Sequence, residues 1–303
     1  MKDITGKTAF ITGGASGIGL GIAKVFVAAG MQVIIADLRE DHLDEAMGYF
    51  KGMEKQIHPI ILDVTDRDAM ARAAEEAEKA FGPIHILCNN AGVNIICPLD
   101  KAGFEDWDWV INVNLGGVIN GLVTFIPRFK AHGKGGHIVN TSSIAGIVAG
   151  PGSGIYSATK FAIRGLSESL RYDLVPYNIG VSVLCPGTVA TNLQQSEENR
   201  PKRFEGATDA ATRERRALTG EVFNQVLPTG MSPEEVGEKV LRGIRNNDFH
   251  ILTHPEFREE FQESFDEIIA ALPDEPLDVQ REVFEEQRRE HRREARRQAN
   301  LLT

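Results

Sequence analysis

The stretch Thr8-Ala9-Phe10-Ile11-Thr12-Gly13-Gly14-Ala15-Ser16-Gly17-Ile18-Gly19 runs from a short apolar segment through a glycine-rich turn into a helical pattern. In doubly wound α/β sheets, a strand followed by such a turn and a helix is where a dinucleotide pyrophosphate binds. Gly13 permits the tight turn, Gly17 lets the backbone approach the phosphates, and Gly19 lets the helix pack close to the strand. The spacing differs from the general G-x-G-x-x-G fingerprint, so an ordinary glycine-rich turn is the alternative interpretation.

Short apolar, β-branched runs alternate with helical patterns along most of the chain. Strands are predicted at residues 8–12, 32–36, 57–62, 84–88, 137–141, 181–184 and 249–253. Helices are predicted at residues 18–29, 39–50, 66–81, 104–131, 154–177 and 233–246. Apolar runs without polar alternation suit strands buried on both faces, and the helices between them supply the crossovers that parallel pairing needs. The sequence therefore predicts an α/β fold, a single doubly wound Rossmann-type parallel sheet of seven strands with helices on both faces.

Composition limits the kinds of partner and location that we expect. The chain has 303 residues and a formal net charge of -10, which disfavours nucleic acid as a partner. We find no apolar run of the ~18 residues that a membrane span needs, and no leader pattern, so we expect no membrane contact and a cytoplasmic location. The three cysteines, Cys88, Cys97 and Cys185, have no C-x-x-C spacing, which argues against a disulfide framework and against a metal site.

The domain prediction is a Rossmann-type catalytic domain at residues 1–255 with a C-terminal helical extension at 256–303. Residues 192–230 are too many for a bare connection and are predicted to form a substrate lid, helical over 208–227. In the extension, an apolar stripe is predicted to dock against the body. Its members are Phe257, Phe261, Phe265, Ile268 and Ile269.

Beyond Pro276, arginines recur every four residues among glutamates placed for pairing within one helix. This pattern predicts a solvated helix whose distal half either projects into solvent or lies along another subunit. The interleaved glutamates disfavour nucleic-acid binding by the arginines.

Asp37 ends the second predicted strand, where a carboxylate accepts hydrogen bonds from the adenosine ribose and repels a 2′-phosphate. NAD(H) is therefore favoured over NADP(H). Ser16 supports this choice because a basic residue at its position would have offered the phosphate a partner. Arg39 could partly offset the repulsion. Asp63 and Val64 follow the third strand and are candidates to bind the adenine.

Tyr156-Ser157-Ala158-Thr159-Lys160 places a phenol and an ammonium four residues apart on one helical face. A cation near a tyrosine hydroxyl favours the phenolate and lowers its pKa from an ordinary value of about 10. Tyr156 is therefore a candidate general acid/base. A Tyr and a Lys at this spacing also occur by chance on surface helices, which is the alternative interpretation.

Together, the motifs resemble those of the classical short-chain dehydrogenase/reductases over residues 5–255. The matching motifs, in chain order, are T-G-x-x-x-G-x-G from Thr12, N-N-A-G from Asn89, Val113-Asn114-Leu115, Ser143, Y-x-x-x-K from Tyr156, and Pro186-Gly187 with Thr191. The set lies in the family's order, with Ser143 thirteen residues before Tyr156.

The resemblance implies a catalytic role for Asn114, Ser143, Tyr156 and Lys160. Tyr156 would exchange the proton of the substrate hydroxyl, and Lys160 would lower the Tyr156 pKa and hold the nicotinamide ribose. Ser143 would hydrogen-bond the substrate oxygen, and Asn114 would hold a water linking Lys160 to solvent. Ser142 is interpreted as a strand-end hydroxyl without a catalytic part.

The predicted cofactor-binding residues come from the glycine-rich turn, the ends of the strands and the family motifs. They are Gly13, Ser16, Gly17, Ile18, Gly19, Asp37, Asp63, Val64, Asn90, Ala91, Gly92, Tyr156, Lys160, Pro186, Gly187, Val189 and Thr191. No metal is expected.

The residues predicted to line the substrate space are mostly apolar and indicate a hydrophobic secondary alcohol or ketone. They are Asn94, Ile95, Ile96, Ile144, Val148, Val189 and Leu193. A narrower resemblance, carried by chain length, the His137-Ile138-Val139 and Pro255-Glu256 neighbourhoods and the tail pattern, is to bacterial enzymes that oxidise the benzylic alcohol of lignin-derived β-aryl ethers. The alternatives are a steroid or 3-oxoacyl reductase of the same fold and, in another class, a non-catalytic NAD-binding sensor or scaffold. The family resemblance also implies a homodimer or homotetramer.

Overall fold

The computed structural model describes residues 1–204 and 229–302. A single parallel sheet of seven strands has the order β3-β2-β1-β4-β5-β6-β7. The strands are β1 Thr8–Thr12, β2 Gln32–Asp37, β3 Ile57–Ile61, β4 Ile84–Asn89, β5 Gly136–Thr141, β6 Ile179–Cys185 and β7 His250–Leu252. This architecture confirms the predicted fold class, and the strand bounds differ from the predicted ones by at most two residues.

Nine α-helices are found in the described parts of the chain. They are α1 Gly17–Ala28, α2 Glu40–Tyr49, α3 Arg67–Phe81, α4 Phe104–Ile111, α5 Gly117–His132, α6 Gly154–Asp173, α7 Pro233–Asn246, α8 Arg258–Ala270 and α9 Val279–Asn300. The helix predicted at 208–227 lies outside the described residues. Helix α7 begins as predicted, because Ser232 and Glu235 form a capping box.

The central strands are buried on both faces, and the helices cover them with two apolar layers. Ile11, Ile22 and Phe26 belong to one layer. Phe10 belongs to the other, where its ring lies 4.7 Å from the Phe125 ring of α5, measured between centroids. The consecutive residues Phe10 and Ile11 therefore serve opposite faces, as the two-residue period of a strand requires.

The predicted helix 104–131 is interrupted by a wider, π-helical turn at Asn112–Gly116, between α4 and α5. By length and composition, the stretch Phe104–His132 could cross a membrane, which corrects our expectation that no run reaches that length. In the fold, 44% of its most apolar part is buried, and Phe125 and Phe129 point into the core. The stretch therefore packs as a core helix of this domain.

The C-terminal extension differs from its prediction in two ways. Within the described residues, the apolar stripe docks only at its start, where Phe257 lies against Gly187 and His254, whereas Phe265 is 44% exposed and Ile268 is 62% exposed. Its docking was predicted from amphipathic spacing, which shows that a face is apolar but not what covers it.

The second difference is the path of α9, whose final turns contact the body of the same chain although most of its side chains are exposed. Its end returns to the body, where Ala299 is fully buried. Arg171 of α6 donates to Asn300 Oδ1 at 3.1 Å, and Arg292 pairs with Glu168 of α6. Polar contacts, which the apolar pattern does not reveal, hold this end of the helix.

Candidate active site

The carboxyl ends of β1, β4, β5 and β6 surround a cavity of about 390 Å³. It lies where the strand order reverses between β1 and β4, the usual ligand position in a doubly wound sheet. Seventeen of the predicted cofactor and catalytic residues line this cavity: Gly13, Ser16, Gly17, Ile18, Asp37, Asp63, Val64, Asn90, Ala91, Gly92, Ser143, Tyr156, Lys160, Pro186, Gly187, Val189 and Thr191. Gly19 and Asn114 are not part of its lining and contribute from behind it.

The glycine-rich turn has the geometry of a phosphate cradle. Gly13 and Gly17 have φ angles of 62° and 49°, in the left-handed region that favours glycine. A Cβ on Gly19 would lie 1.9 Å from the Gly13 carbonyl oxygen, so the helix can approach the turn only with glycine there. No side chain caps the amino end of α1, which leaves its first amide groups available to an anion.

Asp37 lies at the end of β2 beside this cradle. Its carboxylate accepts hydrogen bonds from Ala15 N at 3.2 Å and Arg39 N at 3.1 Å. Burial raises the pKa of the Asp37 carboxyl, and the hydrogen bonds from these two backbone amides partly oppose that shift. The Arg39 guanidinium donates to Asp41 Oδ1 at 2.8 Å and to Asn199 Oδ1 at 3.0 Å. Arg39 is therefore engaged by other partners than Asp37.

Tyr156 and Ser143 meet at the other end of the cavity. Tyr156 projects from the first turn of α6, and its hydroxyl is close enough to the Ser143 side chain for that group to lower its pKa. Ser143 follows β5, and its Oγ accepts a hydrogen bond of 3.1 Å from Ala145 N. Burial raises the pKa of Tyr156 to about 12, although the Ser143 side chain opposes this shift. The pair can hold one substrate oxygen between two hydroxyl groups.

Lys160 lies one helical turn after Tyr156, with its Nζ donating to the Thr141 carbonyl at 2.9 Å. Burial lowers the pKa of Lys160 to about 8. The sequence prediction was that this lysine lowers the pKa of Tyr156. In the structure, burial dominates and the Tyr156 pKa lies above its ordinary value, because desolvation penalises the charged forms of both groups.

Asn114 is fully buried within the π-helical turn. Its Oδ1 accepts a 2.8 Å bond from Val93 N, and its Nδ2 donates to Thr159 Oγ1 of α6 at 3.2 Å. Gly92 brings it near Lys160, since a Cβ on Gly92 would lie 3.3 Å from Asn114 Oδ1 and 3.6 Å from Lys160 Nζ. Turns of this type are frequent at functional sites because they redirect side chains.

Ser142 differs from its neighbour Ser143 in direction. Its hydroxyl donates a 2.7 Å bond to the Lys160 carbonyl and is buried. It therefore joins the end of β5 to α6 in the manner of a strand-end hydroxyl.

Only some of the residues predicted to line the substrate space face the cavity. Of the expected lining, Asn94, Ile144, Val189 and Leu193 face the cavity. Ile95 instead packs with Trp109 and Ile155 in a small buried cluster, and Ile96 and Val148 lie outside the lining. Trp109, Val113 and Phe204 also line the cavity, and the sequence analysis missed them. No local sequence pattern around Trp109, Val113 or Phe204 indicates that these three side chains lie together.

The described residues of the predicted lid are 192–204 and 229–230, and contacts on both the substrate side and the adenosine side of the cavity hold residues 193–204 over it. On the substrate side, Asn94 N donates to Ser196 Oγ at 3.1 Å. Arg200 pairs with Asp106 at 3.0 Å and lies 4.3 Å from the Trp109 ring centroid. The Arg200 and Asp106 side chains are only 6% and 3% exposed.

On the adenosine side, Arg203 donates to Thr65 Oγ1 at 3.1 Å and lies 3.5 Å from Asp63. Within residues 1–204 and 229–302, no group of three or more His, Cys, Asp or Glu side chains is arranged to hold a metal ion.

The site was then compared with known proteins. A family model described as short chain dehydrogenase matches residues 7–202. The C alpha-dehydrogenase of Sphingobium sp. (strain NBRC 103272 / SYK-6) is 41% identical over 260 residues, which cover 86% of this chain and 84% of that protein. The apo form of LigO from Sphingobium sp. strain SYK-6 is 44% identical with a TM-score of 0.78, over 95% of this chain and 98% of that chain. A short chain dehydrogenase/reductase from Burkholderia phymatum, solved in complex with NAD, is 30% identical with a TM-score of 0.84, over 92% of this chain and 100% of that chain.

These similarities confirm both the family resemblance and the narrower one to bacterial Cα-dehydrogenases. They also agree with the uncapped helix and the glycine cradle, which fit the pyrophosphate of a nicotinamide cofactor. The chain belongs to the short chain dehydrogenase family, and it is an oxidoreductase that acts on CH-OH groups with a nicotinamide cofactor.

Proposed function

We propose that this enzyme interconverts a hydrophobic secondary alcohol, including aryl alcohols, and its ketone with NAD(H), using Tyr156 as the acid/base. The observation that carries the proposal is the convergence of Tyr156, Ser143 and Lys160 at one end of the nucleotide cavity. The bound nicotinamide would supply the hydride chemistry. The chain itself has to hold the substrate oxygen, move its proton and exclude water.

Tyr156 and Ser143 divide the work at the substrate oxygen. In alcohol oxidation, the Tyr156 oxygen takes the hydroxyl proton, and in ketone reduction it returns that proton. The Ser143 hydroxyl donates a hydrogen bond to the same substrate oxygen and stabilises the charge that develops on it. Both roles rest on the position of the two side chains, which line the same part of the cavity.

Lys160 supports the proton transfer electrostatically. Its Nζ lies 5.2 Å from the centroid of the Tyr156 ring, within the range at which an ammonium favours the phenolate. Its bond to the Thr141 carbonyl fixes the amine at the bottom of the cavity, where it can also hold the nicotinamide ribose hydroxyls. Asn114 and Gly92 complete the floor beside it.

Three observations support NAD(H) over NADP(H). Asp37 presents a largely buried carboxylate at the ribose position, where a 2′-phosphate would meet a like charge. The Arg39 guanidinium is held by Asp41 and Asn199 and is not free to receive that phosphate. The relative from Burkholderia phymatum was solved in complex with NAD. Measuring kcat/KM with each cofactor tests this preference, and a preference for NADP contradicts it.

The substrate class rests on the aromatic wall of the cavity. Trp109 and Phe204 line it together with the apolar Val113 and Ile144. Aromatic side chains pack favourably against aryl groups in offset or edge-on arrangements. The similarity to a protein named C alpha-dehydrogenase supports a benzylic alcohol of the lignin-derived β-aryl ether type.

A panel of aryl alcohols, 3-hydroxysteroids, 3-oxoacyl thioesters and polyols, assayed with NAD(H), tests the substrate class. We expect the highest kcat/KM with the aryl alcohols, and a higher value with a steroid or 3-oxoacyl compound contradicts the proposal. Tyr156→Phe is the control for chemistry, since turnover by that variant would reject the role of Tyr156.

The remaining expectations concern the whole molecule. The exposed apolar side chains of α5 and α6, among them Val123 at 70% exposure and Phe161, support a homodimer or homotetramer assembled through these two helices. We also propose the division into a catalytic domain at 1–255 and an extension at 256–303, and a cytoplasmic location. Sedimentation of the purified protein tests the assembly, and a monomer contradicts it.

A further inference from the structure

The loop after β6 carries Gly187, Thr188 and Val189, which line the cavity. Gly187 N donates to Thr253 Oγ1 at 3.2 Å, and three further neighbours hold the backbone of the loop. Ile144 N, next to Ser143, donates to the Pro186 carbonyl at 3.1 Å, and Met231 N donates to the Thr188 carbonyl at 3.1 Å. The third neighbour is His254, just after β7, which does not line the cavity but binds the loop from behind.

Both ring nitrogens of His254 are used on this loop. Gly187 N donates to His254 Nδ1 at 3.2 Å, and His254 Nε2 lies 3.0 Å from the Thr188 carbonyl. An amide N–H can only donate and a carbonyl can only accept, so Nδ1 is the acceptor and Nε2 carries the hydrogen. One tautomer of the ring thus bridges the backbone groups of two consecutive residues. Thr253 Oγ1, 2.6 Å from Nδ1, holds the ring in this orientation.

Steric contact also places the His254 ring directly against this loop. A Cβ on Gly187 would lie 2.8 Å from His254 Cγ and 2.8 Å from Phe257 Cε2. The loop therefore lies directly on these two rings, and no side chain fits between them. Phe257 in turn stacks on Phe261 of α8 with the ring centroids 6.0 Å apart.

We propose that His254 is a positioning residue that fixes the Gly187 and Thr188 backbone against the nicotinamide end of the cofactor, and thereby aligns the reacting carbon with Tyr156 and Ser143. This proposal rests on the proposed function. The adenosine end is bound elsewhere, at the α1 cradle and Asp37. His254 therefore controls alignment at one end of the cofactor and contributes little to its affinity.

The test compares His254→Ala with His254→Asn, His254→Gln and a control, His250→Ala, at an exposed position four residues earlier. We expect kcat for alcohol oxidation to fall about tenfold in His254→Ala, because a small displacement of reacting groups is costly to catalysis, while the Kd for NADH changes less than about threefold. Asn restores an amide near the Nδ1 position and Gln near Nε2, so each should recover part of the loss. His250→Ala should match the native enzyme.

Two further readouts separate alignment from general stability. With the alcohol deuterated at its reacting carbon, the kinetic isotope effect on kcat should increase in His254→Ala, because hydride transfer becomes slower than the other steps. Without any substrate, the fluorescence lifetime of bound NADH should shorten, because the nicotinamide ring is less restrained. Native kcat, isotope effect and lifetime in His254→Ala would overturn the proposal.

The lifetime measurement keeps this test independent of the proposed reaction. If the native enzyme oxidises no alcohol in the panel, the proposed function fails, and the lifetime still decides the role of His254. A double variant gives a second check. Ala at position 187 should be less damaging when His254 is already Ala, because one of the two rings that its Cβ would meet is gone. Losses that simply multiply in Gly187→Ala with His254→Ala would contradict the contact.

Discussion

Lys160 Nζ lies 5.2 Å from the centroid of the Tyr156 ring and donates a 2.9 Å hydrogen bond to the Thr141 carbonyl. Burial moves the pKa values of the two groups apart, raising that of Tyr156 to about 12 and lowering that of Lys160 to about 8. Both shifts have the same main cause, because removal from water penalises the charged form of each group.

Tyr156→Phe should lower kcat by about 10²–10⁴-fold, because it removes the group that exchanges the substrate proton. NADH binding should remain near native, since the ring itself is retained. Titration of NADH fluorescence and a steady-state assay measure both quantities. The exposed Tyr177 provides the control substitution, Tyr177→Phe, which should leave kcat unchanged. Substantial turnover by Tyr156→Phe would contradict the mechanism.

The pH dependence should differ between the two directions of the reaction. Oxidation requires Tyr156 to accept a proton, and its pKa is raised to about 12, so kcat/KM for the alcohol should increase from about pH 6 to about pH 10. Reduction requires the protonated phenol, which is present over that whole range, so its kcat/KM should not show this increase. Initial rates in both directions across the range measure this difference. A pH-independent oxidation rate would argue against Tyr156 as the base.

Lys160→Met should abolish turnover and yet stabilise the fold. The folded pKa of Lys160 is lowered to about 8 from its ordinary 10.5, so below pH 8 the folded protein bears the cost of a buried charge. We expect the free energy of unfolding to rise by about 1–3 kcal/mol at neutral pH, as an order of magnitude.

The stabilisation by Lys160→Met should decrease as the pH rises. Between pH 8 and 10.5 the unfolded chain binds a proton at this lysine that the folded chain does not, so native stability rises with pH and the advantage of Met shrinks. Urea unfolding of the native protein and of Lys160→Met at several pH values measures this difference in the free energy of unfolding. The exposed Lys134 gives the control, Lys134→Met, and a less stable Lys160→Met protein at neutral pH would contradict the prediction.

Arg200→Met should loosen residues 193–204 over the substrate end. The Arg200 and Asp106 side chains form a buried ion pair, and removal of one partner of such a pair costs about 3–5 kcal/mol. We expect a lower free energy of unfolding and a KM for the alcohol that rises about tenfold, which corresponds to about 1.4 kcal/mol. Arg203→Met breaks the more exposed contact with Asp63 and should cost less than about 1 kcal/mol. Equal effects of the two substitutions would show that burial of the first pair does not matter.

Cofactor choice should shift when the charges near the ribose are changed. Asp37→Ala removes the carboxylate that repels a 2′-phosphate and should raise the ratio of kcat/KM with NADP to that with NAD about tenfold or more. Asp41→Ala releases the Arg39 guanidinium and should raise the same ratio by a smaller factor. Glu40→Ala, which changes a neighbouring carboxylate, is the control. An unchanged ratio in Asp37→Ala would remove the basis of the NAD assignment.

The parts of the fold that the sequence predicts well are those set by neighbours along the chain. Gly13 and Gly19 follow β1 at a spacing that requires a close turn. Tyr156 and Lys160 are four residues apart, so they share a helical face whether that face is buried or exposed. The central strands are buried on both faces, so their apolar runs are continuous and their bounds are clear.

The parts that were missed depend on contacts between distant segments. Trp109 and Phe204 are brought to one wall by the ion pair of Arg200 with Asp106, and His254 reaches Gly187 across the ends of β6 and β7. The pKa of Tyr156 depends on burial as well as on spacing, so the helical pattern alone gave its direction wrongly. The stripe of Phe265 and Ile268 has the predicted period, but periodicity does not identify an opposing surface.

The π-helical turn at Asn112–Gly116 contains one residue more than an ordinary α-helical turn, and it joins α4 and α5 into one continuous helix. Every position after it is rotated by about 100° around the axis, compared with uninterrupted α-helical winding. Removing a single residue from this turn would therefore rotate all of α5 by about that angle, so that Phe125 and Phe129 would turn away from their present neighbours in the core.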